Sequence, residues 1–303
     1  GAGWSVNGAG NIIISGEITQ SPIGGGYLTY SGSGTLTLTG NNVNWNSDNS
    51  NNNFGMLNID GGTVNATTAS LNGTSTTAPI NFGSNGAATG ILQAGAGGIS
   101  LASSVFLGNS GTIATFDING QNNTISGVIQ YTGFVHGGTF QVKDSVAGGS
   151  LVLTGTNTYT GPTILAGGLL NVGSVGALNS TASISFKGGT LQYSSANTLD
   201  YSSRISGSSS AISIDTNGEN VTYASALAAS NSGGLTKLGL GTLTLTASNL
   251  YTGTTTFGDG VVSVDNAGAL GVSGNLVFTG GTLQYTASDT TDYSECIVNS
   301  ASA

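Results

Sequence analysis

The sequence has little charge, little proline and a single cysteine. Charged residues make up 6% of its 303 residues, against about 25% in typical soluble domains. Four Lys and Arg residues cannot neutralise the many phosphates that nucleic-acid binding requires, nor form the basic face of a membrane-surface helix. Cys296 stands alone, which excludes an internal disulfide, and no apolar run reaches the roughly 18 residues of a membrane-spanning helix. We therefore expect no nucleic-acid partner and no membrane insertion by this segment.

Glycine is abundant instead, with 52 glycines against 3 prolines. This composition is neither collagen-like nor that of a proline-rich linker. Apolar residues make up 37% of the chain and are spread evenly along it. Each short segment can therefore bury part of its surface, which argues against disorder.

The C-terminal half repeats itself without a gap. When the sequence is shifted by 92 residues, 26 of 57 positions are identical between 149–205 and 241–297. Looser copies of the same elements occur upstream, where Asn-Gly pairs precede strands of the form Gly-x-Leu-x-Leu-Thr. We divide the chain into three large repeats at about 1–115, 116–213 and 214–303.

The local pattern predicts strands throughout. Leucines alternate with Thr or Val in 149–154 and 241–246, which is the period-2 signature of a half-buried strand. A strand sequence that returns at a fixed offset favours a solenoid, because each coil stacks on the one before. We predict an all-β fold, a right-handed parallel β-helix forming one elongated domain over 1–303. The 92-residue offset suggests about four coils of roughly 23 residues, and so about 13 coils in all, stacked ~4.8 Å apart.

These residues resemble the autotransporter-associated β-strand repeat of bacterial autotransporter passengers. The matching segments are 233–246, 251–256, 268–270 and 280–284. The copy at 149–193 matches almost as well, so that the resemblance covers 149–297, about half of the chain. It implies a right-handed parallel β-helix that is exported to the cell surface or secreted. It brings no catalytic residues, and it implies either a fragment of a longer passenger or a related protein with another export route.

Candidate chemical groups are few, and each has a simpler structural interpretation. His136 is the only histidine, and it lies between a strand and a turn. Asp200 and Asp292 occupy the same repeat position, which is typical of a turn-forming residue. Asp289, Asp292 and Glu295 form the only acidic cluster, but calcium requires six to eight oxygen ligands. We expect no catalytic, cofactor-binding or metal residues.

Other recurring residues leave alternatives open. Three matched tyrosine pairs are expected to pack inside the solenoid, although outward rings could stack on sugars; they are Tyr159/Tyr251, Tyr193/Tyr285 and Tyr201/Tyr293. Cys296 aligns with Arg204, so its thiol is either exposed or half-buried. The Asn-rich run at 41–53 fits an internal ladder or a protruding loop.

The sequence therefore favours a non-enzymatic extracellular scaffold or adhesin, secreted or at the bacterial surface, with glycan or surface contacts as possible partners. The alternative is a filament subunit that associates end to end through exposed coil edges, since we find no clear polar cap at either end. A polysaccharide-active β-helix enzyme is the remote third reading, because four scattered cations would grip an acidic sugar poorly.

Overall fold

The computed structural model describes residues 3–18, 26–41, 57–71, 79–84, 86, 88–131, 137–178 and 181–298. It is almost entirely β-structure, stacked as a β-solenoid of about 11 turns. His136 and positions 42–53 of the Asn-rich run lie outside the described residues. The chain divides into two compact units, 1–163 with 176–182, and 164–175 with 183–303. No helix in the described part is long and apolar enough to span a membrane.

The first unit is built from three parallel sheets, with strands numbered in chain order. The first sheet contains β1 (Trp4–Val6), β3 (Leu28–Tyr30), β5 (Leu57–Ile59), β7 (Ile80–Phe82), β10 (Val105–Leu107) and β13 (Ile129–Tyr131). The second contains β2 (Ile12–Ile14), β4 (Thr35–Leu38), β6 (Thr63–Ala66), β8 (Thr89–Ala94), β11 (Ile113–Asp117) and β14 (Thr139–Lys143). The third contains β9 (Ser100–Leu101), β12 (Asn122–Ile125) and β15 (Ser150–Leu153).

The second unit is also parallel, with shorter coils. One sheet contains β17 (Leu169–Val172), β19 (Thr190–Gln192), β20 (Ile212–Asp215), β22 (Leu235–Leu238), β24 (Thr255–Phe257) and β26 (Leu276–Phe278). Another contains β21 (Val221–Tyr223), β23 (Thr242–Leu245), β25 (Val261–Val264) and β27 (Thr282–Tyr285). The remaining elements are β16 (Thr163–Leu165), β18 (Ile184–Phe186) and two 3-10 helices, Ser202–Arg204 and Ser294–Cys296.

Parallel pairing confirms the solenoid prediction, but the coils differ in length. In the first unit Leu28 pairs with Leu57, and Leu57 pairs in turn with Ile80, so that a long coil is followed by a shorter one. In the second unit Thr242 pairs with Val261, which is a shorter step than either of these. The predicted count of about 13 coils was too high, since the long coils of the first unit reduce it to about 11.

The 92-residue repeat does not return to the same sheet. Within the second unit Leu170 is followed in register by Leu191, Ile214, Lys237 and Phe257. Four coils therefore take 87 residues (257 minus 170), whereas the repeat counterpart of Leu170 is Val262 (170 plus 92). Val262 belongs to β25, in the neighbouring sheet. The repeat thus spans four coils plus one side, which corrects the expectation of four whole coils.

Alternation of buried and outward residues matches the period-2 prediction. On β23, Leu243 and Leu245 are buried, while Thr242 and Thr244 are only half-buried. Each buried leucine contributes roughly 1.5–3 kcal/mol to folding. The core is therefore a set of stacked aliphatic columns along the solenoid.

Close stacking explains part of the glycine content. Gly234 has a φ of +87°, and a Cβ there would lie 2.1 Å from the carbonyl oxygen of Thr254 in the next coil. Only glycine tolerates both that backbone conformation and that approach.

Candidate functional site

An asparagine that recurs in both repeat copies holds successive coils together. The side-chain oxygen of Asn249 accepts the Leu227 N–H at 2.7 Å, and its amide donates to the Ala269 carbonyl at 2.6 Å. Asn157, its counterpart in the first unit, bonds the N–H of Ile129 at 2.7 Å and the carbonyl of Ala177 at 2.6 Å. Both side chains are buried, so they satisfy backbone groups that would otherwise lose their hydrogen bonds.

The recurring tyrosine two positions later is also internal. The hydroxyls of Tyr159 and Thr163 are 2.7 Å apart, and those of Tyr251 and Thr255 are 2.6 Å apart. Burial raises the pKa of Tyr251 well above its ordinary value. These side chains are therefore committed to packing.

The other two tyrosine pairs are mostly internal as well. Tyr193, Tyr201 and Tyr293 are buried, whereas Tyr285 is 47% exposed. The packing interpretation is confirmed for all of the matched tyrosines except Tyr285.

Polar side chains form one ladder on the outer side of a sheet in each unit. In the second unit Asn171 donates to Gln192 at 2.7 Å, and Gln192 donates to Asp215 at 2.7 Å. The ladder of the first unit has the same order, Asn65, Gln93 and Asp117, with distances of 2.8 and 3.1 Å. Each residue lies one coil after the previous one, so the ladders tie three coils together.

Each ladder ends at an Asp-x-Asn-Gly turn, which contains the Asn-Gly pair noted in the sequence. Asp215 accepts the N–H of Asn217 at 2.8 Å, and Asn217 has a φ of 51°. The amide of Asn217 reaches back one coil to the Tyr193 carbonyl at 3.2 Å. Asn tolerates this left-handed conformation better than most residues, which accounts for Asn at the corner.

Asp289 and Asp292 of the predicted acidic cluster have local structural roles, as does Asp200, the repeat counterpart of Asp292. Asp200 and Asp292 accept the N–H groups of Ser202 and Ser294 at 2.8 and 2.9 Å, each at the start of a 3-10 helix. This confirms the turn-forming interpretation, and the Ser294 N–H lowers the pKa of Asp292. Asp289 is buried and accepts the Tyr293 hydroxyl at 2.9 Å. Among the residues described, no group of three His, Cys, Asp or Glu side chains could hold a metal ion.

Cys296 is half-buried at the end of the second 3-10 helix. Its counterpart Arg204 is also half-buried, with its guanidinium 5.2 Å from the ring centre of Tyr201. Of the two alternatives left open by the sequence, exposed or half-buried, the half-buried position of Cys296 is confirmed.

Three of the four cations are engaged within the fold. Lys143 lies 3.6 Å from Asp117, and Arg204 lies over Tyr201. Lys237 is fully buried, with its ammonium 2.9 Å from the Leu238 carbonyl and 2.7 Å from that of Gly239. Lys187 is exposed, and the Lys143 side chain is 42% exposed but lies beside Asp117, so the surface offers little positive charge to an anionic partner.

Sequence reasoning missed the internal position of Lys237. The signal was available, because Lys237 stands two residues after Leu235 in an alternating strand, and so on its inward side. Desolvation by burial lowers the pKa of this lysine from 10.5 to about 8.

The outer face of the second unit presents hydroxyl groups. Thr190, Ser213, Thr236 and Thr256 occupy in-register positions on four neighbouring strands. All four are half-buried, and threonine also suits a strand for its shape alone. This row is polar and uncharged.

Comparison with known proteins agrees with this architecture. The family model described as Passenger-associated-transport-repeat matches residues 28–43, 148–172 and 235–264. The chain is also 29% identical over 266 residues to the adhesin BmaC autotransporter of Brucella suis biovar 1 (strain 1330). That match covers 82% of this chain but only 7% of the relative. No solved structure matches. The parallel coils and these matches together show a β-solenoid in which three segments are similar to the passenger-associated transport repeat.

Proposed function

We propose that this chain is a non-enzymatic scaffold segment of an extracellular, adhesin-like autotransporter passenger, secreted or displayed at the cell surface. The main observation behind the proposal is that the side chains repeated in both copies form hydrogen bonds inside the solenoid. Asn157, Asn249, Tyr159 and Tyr251 are all engaged in hydrogen bonds inside the solenoid. The repeat therefore preserves stacking contacts rather than a ligand site.

The character of the surface supports the same proposal. Net charge is −9, Lys187 is exposed, and the partly exposed Lys143 lies 3.6 Å from Asp117. The outward row from Thr190 to Thr256 carries hydroxyls without charge. A surface of this kind stays hydrated and suits a spacer that holds other parts of an adhesin away from the cell.

The small share of the relative that is covered fits a segment of a larger protein. The chain spans 7% of the length of the adhesin from Brucella suis. Adhesion, as that protein's name describes it, would then belong to the assembled passenger, with this segment setting its reach.

A bead assay tests the proposal. Beads coated with the chain should bind a glycan array and host cells no better than beads coated with an inert protein of similar net charge. A small binding domain fused to the N-terminus of the chain should reach its ligand through a polymer brush that blocks the same domain attached directly. Saturable binding of the chain alone to one glycan or protein would overturn the scaffold proposal in favour of an adhesive surface.

A further inference from the structure

The Asn-Gly corners at which the two ladders end, Asn119-Gly120 and Asn217-Gly218, are prone to a spontaneous reaction. In such a pair the glycine nitrogen attacks the side-chain carbonyl carbon of the asparagine, because glycine has no side chain to obstruct the approach. The new C–N bond closes a succinimide ring, and ammonia leaves. Water then adds to either ring carbonyl and gives aspartate or isoaspartate, so water is the only other reactant.

At both corners the attacking nitrogen is hydrogen-bonded to the next coil. The Gly120 N–H donates to Oδ1 of Asp144 at 2.7 Å. The Gly218 N–H donates to the carbonyl of Leu240 at 2.8 Å. Both acceptors belong to the coil that follows the corner. The nitrogen must therefore give up a contact between coils before it can reach the side chain of the asparagine.

The asparagine side chain is held from the opposite direction, by the coil before the corner. The amide nitrogen of Asn119 donates to the carbonyl of Ala94 at 2.8 Å. The amide nitrogen of Asn217 donates to the carbonyl of Tyr193 at 3.2 Å. Both carbonyls lie one coil earlier. The two groups that must meet to form the ring are thus bonded to different neighbours, one on each side of the corner.

The two corners differ in exposure, which separates access to water from contact between coils. Asn217 and Gly218 are exposed, whereas Asn119 and Gly120 are half-buried. Water therefore reaches the second corner without any separation of the coils. If access to water controlled the reaction, Asn217 would react faster than Asn119. If the contacts between coils control it, both corners stay closed, because both have the same pair of contacts.

We propose that both corners are modification sites closed by coil stacking, where the succinimide forms only after a neighbouring coil separates from the corner. Local opening of this kind belongs to the normal fluctuations of a folded protein. The product then prevents the corner from closing again. Its carboxylate cannot donate to the Tyr193 or Ala94 carbonyl as the amide does, and isoaspartate adds a carbon atom to the backbone. Each modified corner is therefore a lasting record of an opening at that place in the solenoid.

Peptide mass spectrometry on the intact chain tests the proposal, with an isoaspartate-specific methylation assay to identify the product. During incubation at mildly alkaline pH, both corners should form product at least about tenfold more slowly in buffer than in urea that unfolds the chain. Equal rates in buffer and in urea at either corner would overturn the proposal. So would a folded chain in which the exposed Asn217 reacts as fast as in urea while Asn119 does not.

Asp144→Ala supplies the second readout, because it removes the acceptor of the Gly120 N–H. In buffer, the rate at Asn119 should rise about tenfold, while Asn217 in the same molecule, whose corner lacks this contact, should be unchanged. Asp144 also accepts N–H groups of its own turn, so Asp144→Asn, which keeps an acceptor oxygen, is the matched control and should raise the rate less.

Circular dichroism must show that the variant is folded. An equal rise at both corners of a folded Asp144→Ala protein, or no rise at Asn119, would overturn the proposal. If the variant does not fold, the comparison of the native chain in buffer and in urea decides by itself.

Discussion

Lys237 allows a sharp test of how the core is built. Its side chain is closed to solvent and lies in a column between Ile214 and Phe257. Its ammonium donates to the carbonyls of Leu238, Gly239 and Asp259. The carboxylates of Asp215 and Asp259 act on it in the opposite direction to burial, yet burial dominates and lowers the pKa from 10.5 to about 8. Replacement by methionine keeps nearly the same side-chain length and removes the charge.

The sign and size of the effect follow from that pKa. The folded state binds the proton less tightly than the unfolded state, so the free energy of unfolding rises with pH between about 8 and 10.5. Below pH 8 the lysine is charged in both states, and the full cost of burying its charge is present. The difference between 10.5 and 8 is worth about 3 kcal/mol in total, of which about 2 kcal/mol is gained between pH 7 and pH 9.5.

The assay is urea unfolding of the native chain and of Lys237→Met at pH 7.0, 8.0, 9.0 and 9.5. Buried tyrosines such as Tyr223 and Tyr251 have raised pKa values and so destabilise the fold as the pH rises toward 10. They are common to both proteins and cancel in the comparison. The stability of the native chain relative to Lys237→Met should rise by about 2 kcal/mol from pH 7.0 to pH 9.5. A difference that does not change with pH would refute a buried, charged Lys237.

Three further predictions rest on the contacts between coils. Asn249→Ala should lower the free energy of unfolding, measured by urea titration, by roughly 3 kcal/mol, because two buried backbone groups lose their partner. The control Asn275→Ala, at an exposed position, should change it by less than about 0.5 kcal/mol. Gly234→Ala should lower the thermal unfolding temperature more than Gly207→Ala does. Both glycines have positive φ, but only at Gly234 would a Cβ meet backbone atoms within 4 Å. Equal decreases in unfolding temperature would contradict the argument from close approach. Gln192→Leu should cost about 1–2 kcal/mol by breaking the ladder between Asn171 and Asp215, whereas Gln284→Leu, its exposed counterpart, should be nearly neutral by the same measurement.

Much of the fold was predictable because its rules are local. Alternation of leucine with threonine in 241–246 predicted the strand and its inward side, since side chains on a strand point to opposite faces in turn. The fixed repeat offset predicted parallel stacking, because a coil is the template for the next. Asn217-Gly218 predicted a turn, and the structure has one there.

The candidate site was less predictable, because its contacts join residues of different coils. The Asn at 157 and 249 was visible as a repeated letter, but its carbonyl and N–H partners lie 20 to 28 residues away. Lys237 was counted with the scattered cations, although its strand position placed it inside. The sequence left Cys296 as either exposed or half-buried, and only the structure showed that it is half-buried, as is its counterpart Arg204.

The sequence by itself determined that this chain is made of short strands, that they stack in parallel coils, and that its repeat resembles that of autotransporter passengers. Those properties depend on the period of apolar side chains and on repetition, and both can be read directly from the amino-acid sequence. Only the tertiary structure showed which sheet of the solenoid each repeat copy falls on. Four coils end at Phe257, so Val262 falls on the next side of the solenoid. The reason is that coil length is set by how each turn packs on the one below, and the step from Thr242 to Val261 is much shorter than the step from Leu28 to Leu57.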